Sequence, residues 1–136
     1  MSFALHPQLE KDTILIGDLP LCRVLLMNNI HFPWLILVPL RQSARELFDL
    51  EPYDYKLMMD EVRAVATRFS ELTDAFKMNI AALGNMVPQL HIHIIARFED
   101  DMAWPKPVWN AGITPEPYPA ARAAHVAEQI RANLGL

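Results

Sequence analysis

The sequence predicts an α+β fold, with about five mainly antiparallel strands, one long helix on a face of the sheet and a short C-terminal helix. Three observations carry this expectation. Short apolar runs bounded by turn residues come early in the chain and again after its middle. The spacing of "LLMNNIHFPWLIL" is that of a hairpin. Between the two groups of strands, Tyr55, Met58, Val62, Val65, Phe69 and Leu72 recur at steps of three and four, as the buried stripe of an amphipathic helix does.

Thr13 to Asp18 reads as a strand closed by a turn, and "CRVLLM" from Cys22 as the next. After the turn "NNIHFP", "WLILV" from Trp34 to Val38 is a short apolar run between prolines, the pattern of a buried strand. Pro52 suits a first helical position, where its missing N–H costs nothing, and opens the helix to Leu72. Ala75 to Leu83 reads as a strand, Gly84 to Pro88 as a turn and Leu90 to Arg97 as the partner strand. Alternation there puts Gln89, His91 and His93 on one face and Leu90, Ile92 and Ile94 on the other. Pro105, Pro107, Pro115, Pro117 and Pro119 make the next stretch irregular, draped over the body rather than forming an element. Ala123, Val126, Ile130 and Leu134 space out a final short helix. One domain is expected over 1–136, with a core over 13–97 and a proline-rich tail and helix over 98–136.

A chain of 136 residues that is 52% hydrophobic suits a single core. Its net charge of −4, with no basic stripe, argues against duplex nucleic acid as a partner but leaves room for a small nucleotide. Cys22 stands alone, so no internal disulfide forms and a cytoplasmic setting is expected. The start lacks a basic and apolar leader. No apolar run reaches the roughly 20 residues of a membrane helix. No phosphate-binding P-loop, nucleophile elbow or dinucleotide glycine pattern is present.

The chemistry concentrates in "GNMVPQLHIHIIAR", Gly84 to Arg97. Three readings of His91 and His93 stand open. They are satisfied histidines on a half-buried strand. Or they hold a metal, although zinc needs a third or fourth ligand and Cys22, His6, His31 and His125 are scattered. Or one is a nucleophile: a neutral imidazole attacks phosphorus and gives a phosphoramidate that water hydrolyses. For that, turn N–H groups, Asn85 and Gln89 would hold the phosphate oxygens.

"QLHIHII" resembles the His-φ-His-φ-His-φ-φ signature of the histidine triad (HIT) superfamily, φ being apolar. "GNMVPQ" resembles the turn before that triad, through Gly84, Asn85 and Val87, and "LILVPLR" resembles the family's third core strand. The resemblance spans roughly Cys22 to Arg97. It implies a HIT-like fold and a homodimer whose sheet continues across the interface. It also implies hydrolysis or transfer at the α-phosphate of a dinucleoside polyphosphate or nucleotide conjugate, through a nucleotidyl-histidine intermediate. It makes His91 the nucleophile, with His93 and Gln89 assisting, and Asn85, Asn28 and Asn79 the polar contacts to substrate. No cofactor is required, although magnesium could accompany the nucleotide. Two departures stand out. Gln89 replaces the first triad histidine and carries no titratable proton, and Trp34 replaces a histidine many members have on the third strand. Trp34 then stacks on a base or fills the core. The alternative function is a non-catalytic nucleotide-binding or sensing module.

Trp104 and Trp109 are either a wall for the base or leaving group, or packing for the tail. Glu99, Asp100 and Asp101 read as a solvated turn, with a magnesium site as the alternative. Arg97 shares the parity of the two histidines and is expected at the surface, with phosphate contact as the alternative. His31 is expected as an exposed turn residue.

Overall fold

The computed structural model describes residues 2–136. Its elements are α1 (Pro7–Asp12), β1 (Thr13–Asp18), β2 (Cys22–Met27), β3 (Trp34–Pro39), α2 (Pro52–Thr73), β4 (Lys77–Ala81), β5 (Ile92–Arg97) and α3 (Ala120–Leu134). The fold is α+β. The five strands lie in the order β1-β2-β3-β5-β4, and every neighbouring pair is antiparallel. Among the described residues no helix is long and apolar enough to cross a membrane.

The expected hairpin is β2–β3, and α2 ends one residue beyond the last position of its predicted stripe. Asp74 stops it in the left-handed region, where its N–H closes onto Glu71 and Ser70. Two strand boundaries differ from expectation. β4 is shorter than 75–83, and β5 begins at Ile92 rather than Leu90. The link between them is therefore residues 82–91 instead of a five-residue turn. Gly84 at φ +72 swings the chain out, Pro88 has no N–H to give a ladder, and the Leu90 N–H goes to Ala44 O at 2.9 Å. Helix α1 was not foreseen. It is six residues long, with Pro7 in its first turn and the His6 ring nitrogen Nδ1 as its cap, which is not one of the usual capping side chains.

Both faces of the sheet are covered. On one, Leu35, Leu37, Ile92 and Ile94 pack against Met58, Val62, Val65 and Phe69 of α2 and Ile130 of α3. On the other, Leu25, Trp34, Ile36 and Ile95 lie beneath Leu9 of α1 and beneath Ala103, Val108 and Trp109 of the tail. This double cover explains why all six positions of β3 and of β5 are buried, and why β3 reads as a continuous apolar run. The tail is pinned by Ile30 N–H to Glu116 O at 2.7 Å and by Tyr118 N–H to Asn28 Oδ1 at 2.9 Å.

One buried carboxylate supports the sheet from the helix side. Glu61 of α2 accepts the N–H groups of Leu21 and Cys22, at 2.9 and 2.8 Å. The buried Cys22 thiol beside it is pushed far above its ordinary pKa, by burial first and by Glu61 second, so it stays protonated. Glu61→Ala strands two buried donors and should cost about 3 kcal/mol in urea unfolding. A loss below about 1 kcal/mol would show that the two N–H groups find other partners.

Candidate active site

β5 presents His93, Ile95 and Arg97 on the sheet face beneath the tail, and His91, just before the strand, joins them. The rings of His91 and His93 lie 4.8 Å apart at 70° and are 6% and 5% exposed. Each is held at Nδ1, by opposite kinds of group. His91 Nδ1 is 2.7 Å from the Gln89 carbonyl oxygen, which can only accept. That nitrogen therefore carries the proton of the neutral ring, and Nε2 keeps its lone pair. His93 Nδ1 is 3.0 Å from the Trp34 indole N–H, which can only donate. Its Nδ1 is thus bare and its proton sits on Nε2. Two histidines two residues apart are locked in opposite tautomers, one offering a nucleophile and the other a donor.

Burial keeps both uncharged. It lowers the His93 pKa to about 4, with the neighbouring His91 adding to the effect. Burial also lowers His91, the Gln89 carbonyl opposes this, and His6 lowers it further. At neutral pH the pair is therefore two neutral rings.

The rings open on a cavity of about 650 Å3. Its walls are Gly84, Asn85 and Val87 of the β4–β5 link, Gln8, Leu9 and Asp12 of α1, Met27 and Ile36 of the sheet, and Trp109 and Asn110 of the tail. Trp109 stands edge-on to both His93, at 4.9 Å, and Trp34, at 5.5 Å. Among the described residues no lysine or arginine lines this cavity, so an anion there would be held by amide dipoles and the His93 N–H.

The structure brings His91, His93 and Asn85 together at that cavity and places the other expected residues elsewhere. Gln89 was expected to orient the nucleophile and phosphate with its side chain. Instead its Oε1 accepts from His6 N–H and its Nε2 donates to Ala4 O, both at 2.9 Å, and only its main-chain carbonyl touches His91. Trp34 does not line this cavity; its indole N–H supports His93, and with Asn28 it lines an adjoining one. Asn28 accepts from the tail and lines an adjoining cavity of about 360 Å3, which shares Asp12 and Met27 with the first. Asn79 accepts from Arg97 Nη1 at 2.9 Å and does not line the histidine cavity.

Arg97 corrects a second expectation, because it is 1% exposed rather than at the surface. It pairs with Asp101 at 2.8 Å, donates to Lys106 O at 2.7 Å and lies between the rings of Phe32 and Trp104. Asp101 is likewise not part of a solvated turn, although Glu99 and Asp100 are exposed. Burial pushes its carboxyl up, but the Arg97 guanidinium and the N–H groups of Phe98, Ala103 and Trp104 outweigh this and bring its pKa to about 2. With its oxygens so committed, Asp101 has nothing left for magnesium. The two tail tryptophans divide: Trp109 walls the cavity, whereas Trp104 packs on Phe76 and Arg97. His31 is half-buried. Among the described residues no group of three His, Cys, Asp or Glu side chains is placed to hold a metal ion. The contribution of α1, through Gln8, Leu9 and Asp12, had no sequence signal beyond Pro7 at a helix start.

A five-stranded antiparallel sheet with a long helix behind it and paired imidazoles in front defines a histidine triad type of domain. The chain belongs to the HIT family, whose domain matches residues 8–100. It is similar to a histidine triad protein of Bradyrhizobium japonicum, at 43% identity over 98% of this chain and 99% of that one, with a TM-score of 0.95. It is similar to one of Sinorhizobium meliloti, at 46% over 96% of each chain with a TM-score of 0.92. A third, from Marinobacter aquaeolei VT8, is 42% identical over 99% of this chain and 98% of that one, with a TM-score of 0.95. No curated protein matches the chain. The family places it, in general terms, with nucleotide-binding hydrolases and transferases.

The Arg97–Asp101 pair anchors the tail that carries Trp109 to the histidines. Asp101→Asn leaves the buried guanidinium without a counter-charge and should cost about 3 kcal/mol in urea unfolding. A loss under about 1 kcal/mol would show that the pair does not hold the tail.

Proposed function

We propose that the protein cleaves or transfers at the α-phosphorus of a dinucleoside polyphosphate or nucleotide conjugate, with His91 as the nucleophile. The observation that carries this is the free Nε2 lone pair of His91 at an amide-lined cavity, set by the Gln89 carbonyl. In the first step His91 Nε2 bonds to phosphorus and the bond from phosphorus to the leaving group breaks, its electron pair going with that group. The ring becomes cationic, and its Nδ1–H tightens on the Gln89 carbonyl. The His93 Nε2–H donates to a phosphate oxygen. Water then displaces His91 from phosphorus, giving a nucleoside monophosphate and the neutral ring, while the water's proton passes to solvent.

Proton supply separates substrates. The Gln89 carboxamide has no titratable proton, the Trp34 N–H is committed to His93, and His93 is neutral. A phosphate leaves as an anion and needs no proton, whereas an amine leaving group needs one. This favours diadenosine-polyphosphate-type substrates over adenosine phosphoramidates. No cofactor enters the scheme. We place the reaction in the cytoplasm, where the lone thiol of Cys22 remains reduced.

We also propose a homodimer joined along β4. This strand is one of the two edges of the sheet, β1 being the other, and Phe76 just before it and Ile80 within it are 59% and 51% exposed. Light scattering should then give the mass of two chains, and a monomer at micromolar concentration would oppose it.

A second reading, a nucleotide-binding module without turnover, is favoured by the commitment of the Gln89 side chain to the N-terminal segment. Turnover of a labelled dinucleotide and phosphoramidate panel, with intact-mass detection after acid-free quenching, separates the two. The enzyme should show a nucleotidyl adduct, and His91→Ala should lose the adduct and at least about 1,000-fold in kcat. Binding without product would favour the module, and wild-type rates in the variant would defeat the mechanism. Attack needs the neutral ring, and burial lowers the His91 pKa. Activity should therefore hold from pH 7 down through about 6.5, the ordinary histidine value, and fall only at more acid pH. An acid limb centred above 7 would contradict this assignment.

A further inference from the structure

The Gln89 side chain is the motif residue that the proposed chemistry leaves unused, and its contacts point outward along the chain. Its carboxamide takes the His6 N–H on one end and the Ala4 C=O on the other. These groups flank Leu5, so one side chain pairs with the strap formed by residues 4–6 as a neighbouring strand would. Neither assignment can be flipped, because a main-chain N–H only donates and a C=O only accepts. A neutral imidazole has its N–H and lone pair on separate ring atoms pointing apart, so a histidine at this position could not make the same two contacts. The strap leads directly into the cavity wall. His6 accepts the Gln8 N–H at its Nδ1 and so caps α1, and Gln8, Leu9 and Asp12 of α1 line the cavity.

We propose that Gln89 is a positioning residue for substrate selection: it clamps the strap over residues 4–6, and the clamp stands α1 as one wall of the nucleotide cavity. On this account the first position of the motif has been moved from proton handling to building the pocket. The wall it holds is apolar at Leu9 and acidic at Asp12. It fits the uncharged base and ribose of a nucleotide rather than its phosphates, because among the described residues no lysine or arginine lines this cavity. The substrate part of this inference rests on the proposed function; the clamp does not.

The test is a double-mutant cycle in the full-length chain. His6 has φ −57 and ψ 135, values a proline adopts without strain, so His6→Pro removes the N–H donated to Gln89. It also removes the ring that caps α1, and His6→Ala removes the ring while keeping the N–H. The comparison of His6→Pro with His6→Ala therefore isolates the clamp. With a diadenosine polyphosphate as substrate, Gln89→Ala should raise KM about tenfold while kcat changes less than about threefold. His6→Pro should show a similar rise over His6→Ala, and that rise should vanish in the Gln89→Ala background. Gln89→His and Gln89→Glu should not restore KM, because an imidazole carries its donor and acceptor pointing apart and a carboxylate has no donor. Main-chain hydrogen exchange gives a readout independent of turnover: the Glu10 N–H, bonded to His6 O, should exchange faster in Gln89→Ala while β5 does not change. If no substrate turns over but exchange follows this pattern, the proposed reaction fails and the clamp stands. Additive effects of the two substitutions, unchanged exchange in α1, or a fall in kcat at constant KM would overturn the clamp.

Discussion

A main-chain carbonyl cannot donate a hydrogen bond, and an indole N–H cannot accept one. The site depends on that asymmetry. The Gln89 carbonyl and the Trp34 N–H each meet Nδ1 of a neighbouring histidine, and they force the two neutral rings into opposite proton arrangements. Burial supplies the other half of the constraint by keeping both rings uncharged. A lone pair and an N–H are thereby presented side by side without any carboxylate to orient them. This local logic does not need the first motif position to be a histidine, which is why glutamine there is compatible with the chemistry.

Around this pair the protein is a cover as much as a sheet. The histidine face would be open without the tail and α1, which come from opposite ends of the chain. The tail is fastened by Arg97, a cation buried between two aromatic rings and matched by one carboxylate. A buried ion pair is poor evidence for stability in itself, but it ties one location to one partner. Here that tie brings Trp109 against His93. The N-terminal side is fastened by the Gln89 carboxamide, by the Asn28 N–H to Asp12 O and by buried Leu9. The floor of the cavity is therefore built by strands, and its walls by a short helix and irregular segments held at a few polar points.

Much of this was legible in the residues. The apolar stripe of α2, the β2–β3 hairpin and the shared face of His91 and His93 followed from periodicity alone, because those elements are set by which side chains must leave water. Alternation also placed Arg97 on the histidine face. It could not show that the face is roofed, and so the guanidinium was expected at the surface. Roofing depends on contacts between residues far apart in the chain, such as Tyr118 with Asn28 and Ala4 with Gln89. Asn28 and Asn79 were polar in suitable elements, yet their partners turned out to be Tyr118 and Arg97. Helix α1 was missed because it is a short helix with an unusual cap and no repeating stripe.

The proton positions on the two rings are the most direct point of attack. Nitrogen-15 chemical shifts of the imidazole rings, recorded near pH 7 on protein labelled at histidine, distinguish a protonated ring nitrogen from a bare one. The account requires His91 to be protonated at Nδ1 and bare at Nε2, and His93 to be the reverse. Finding His91 protonated at Nε2, or charged at that pH, would contradict it.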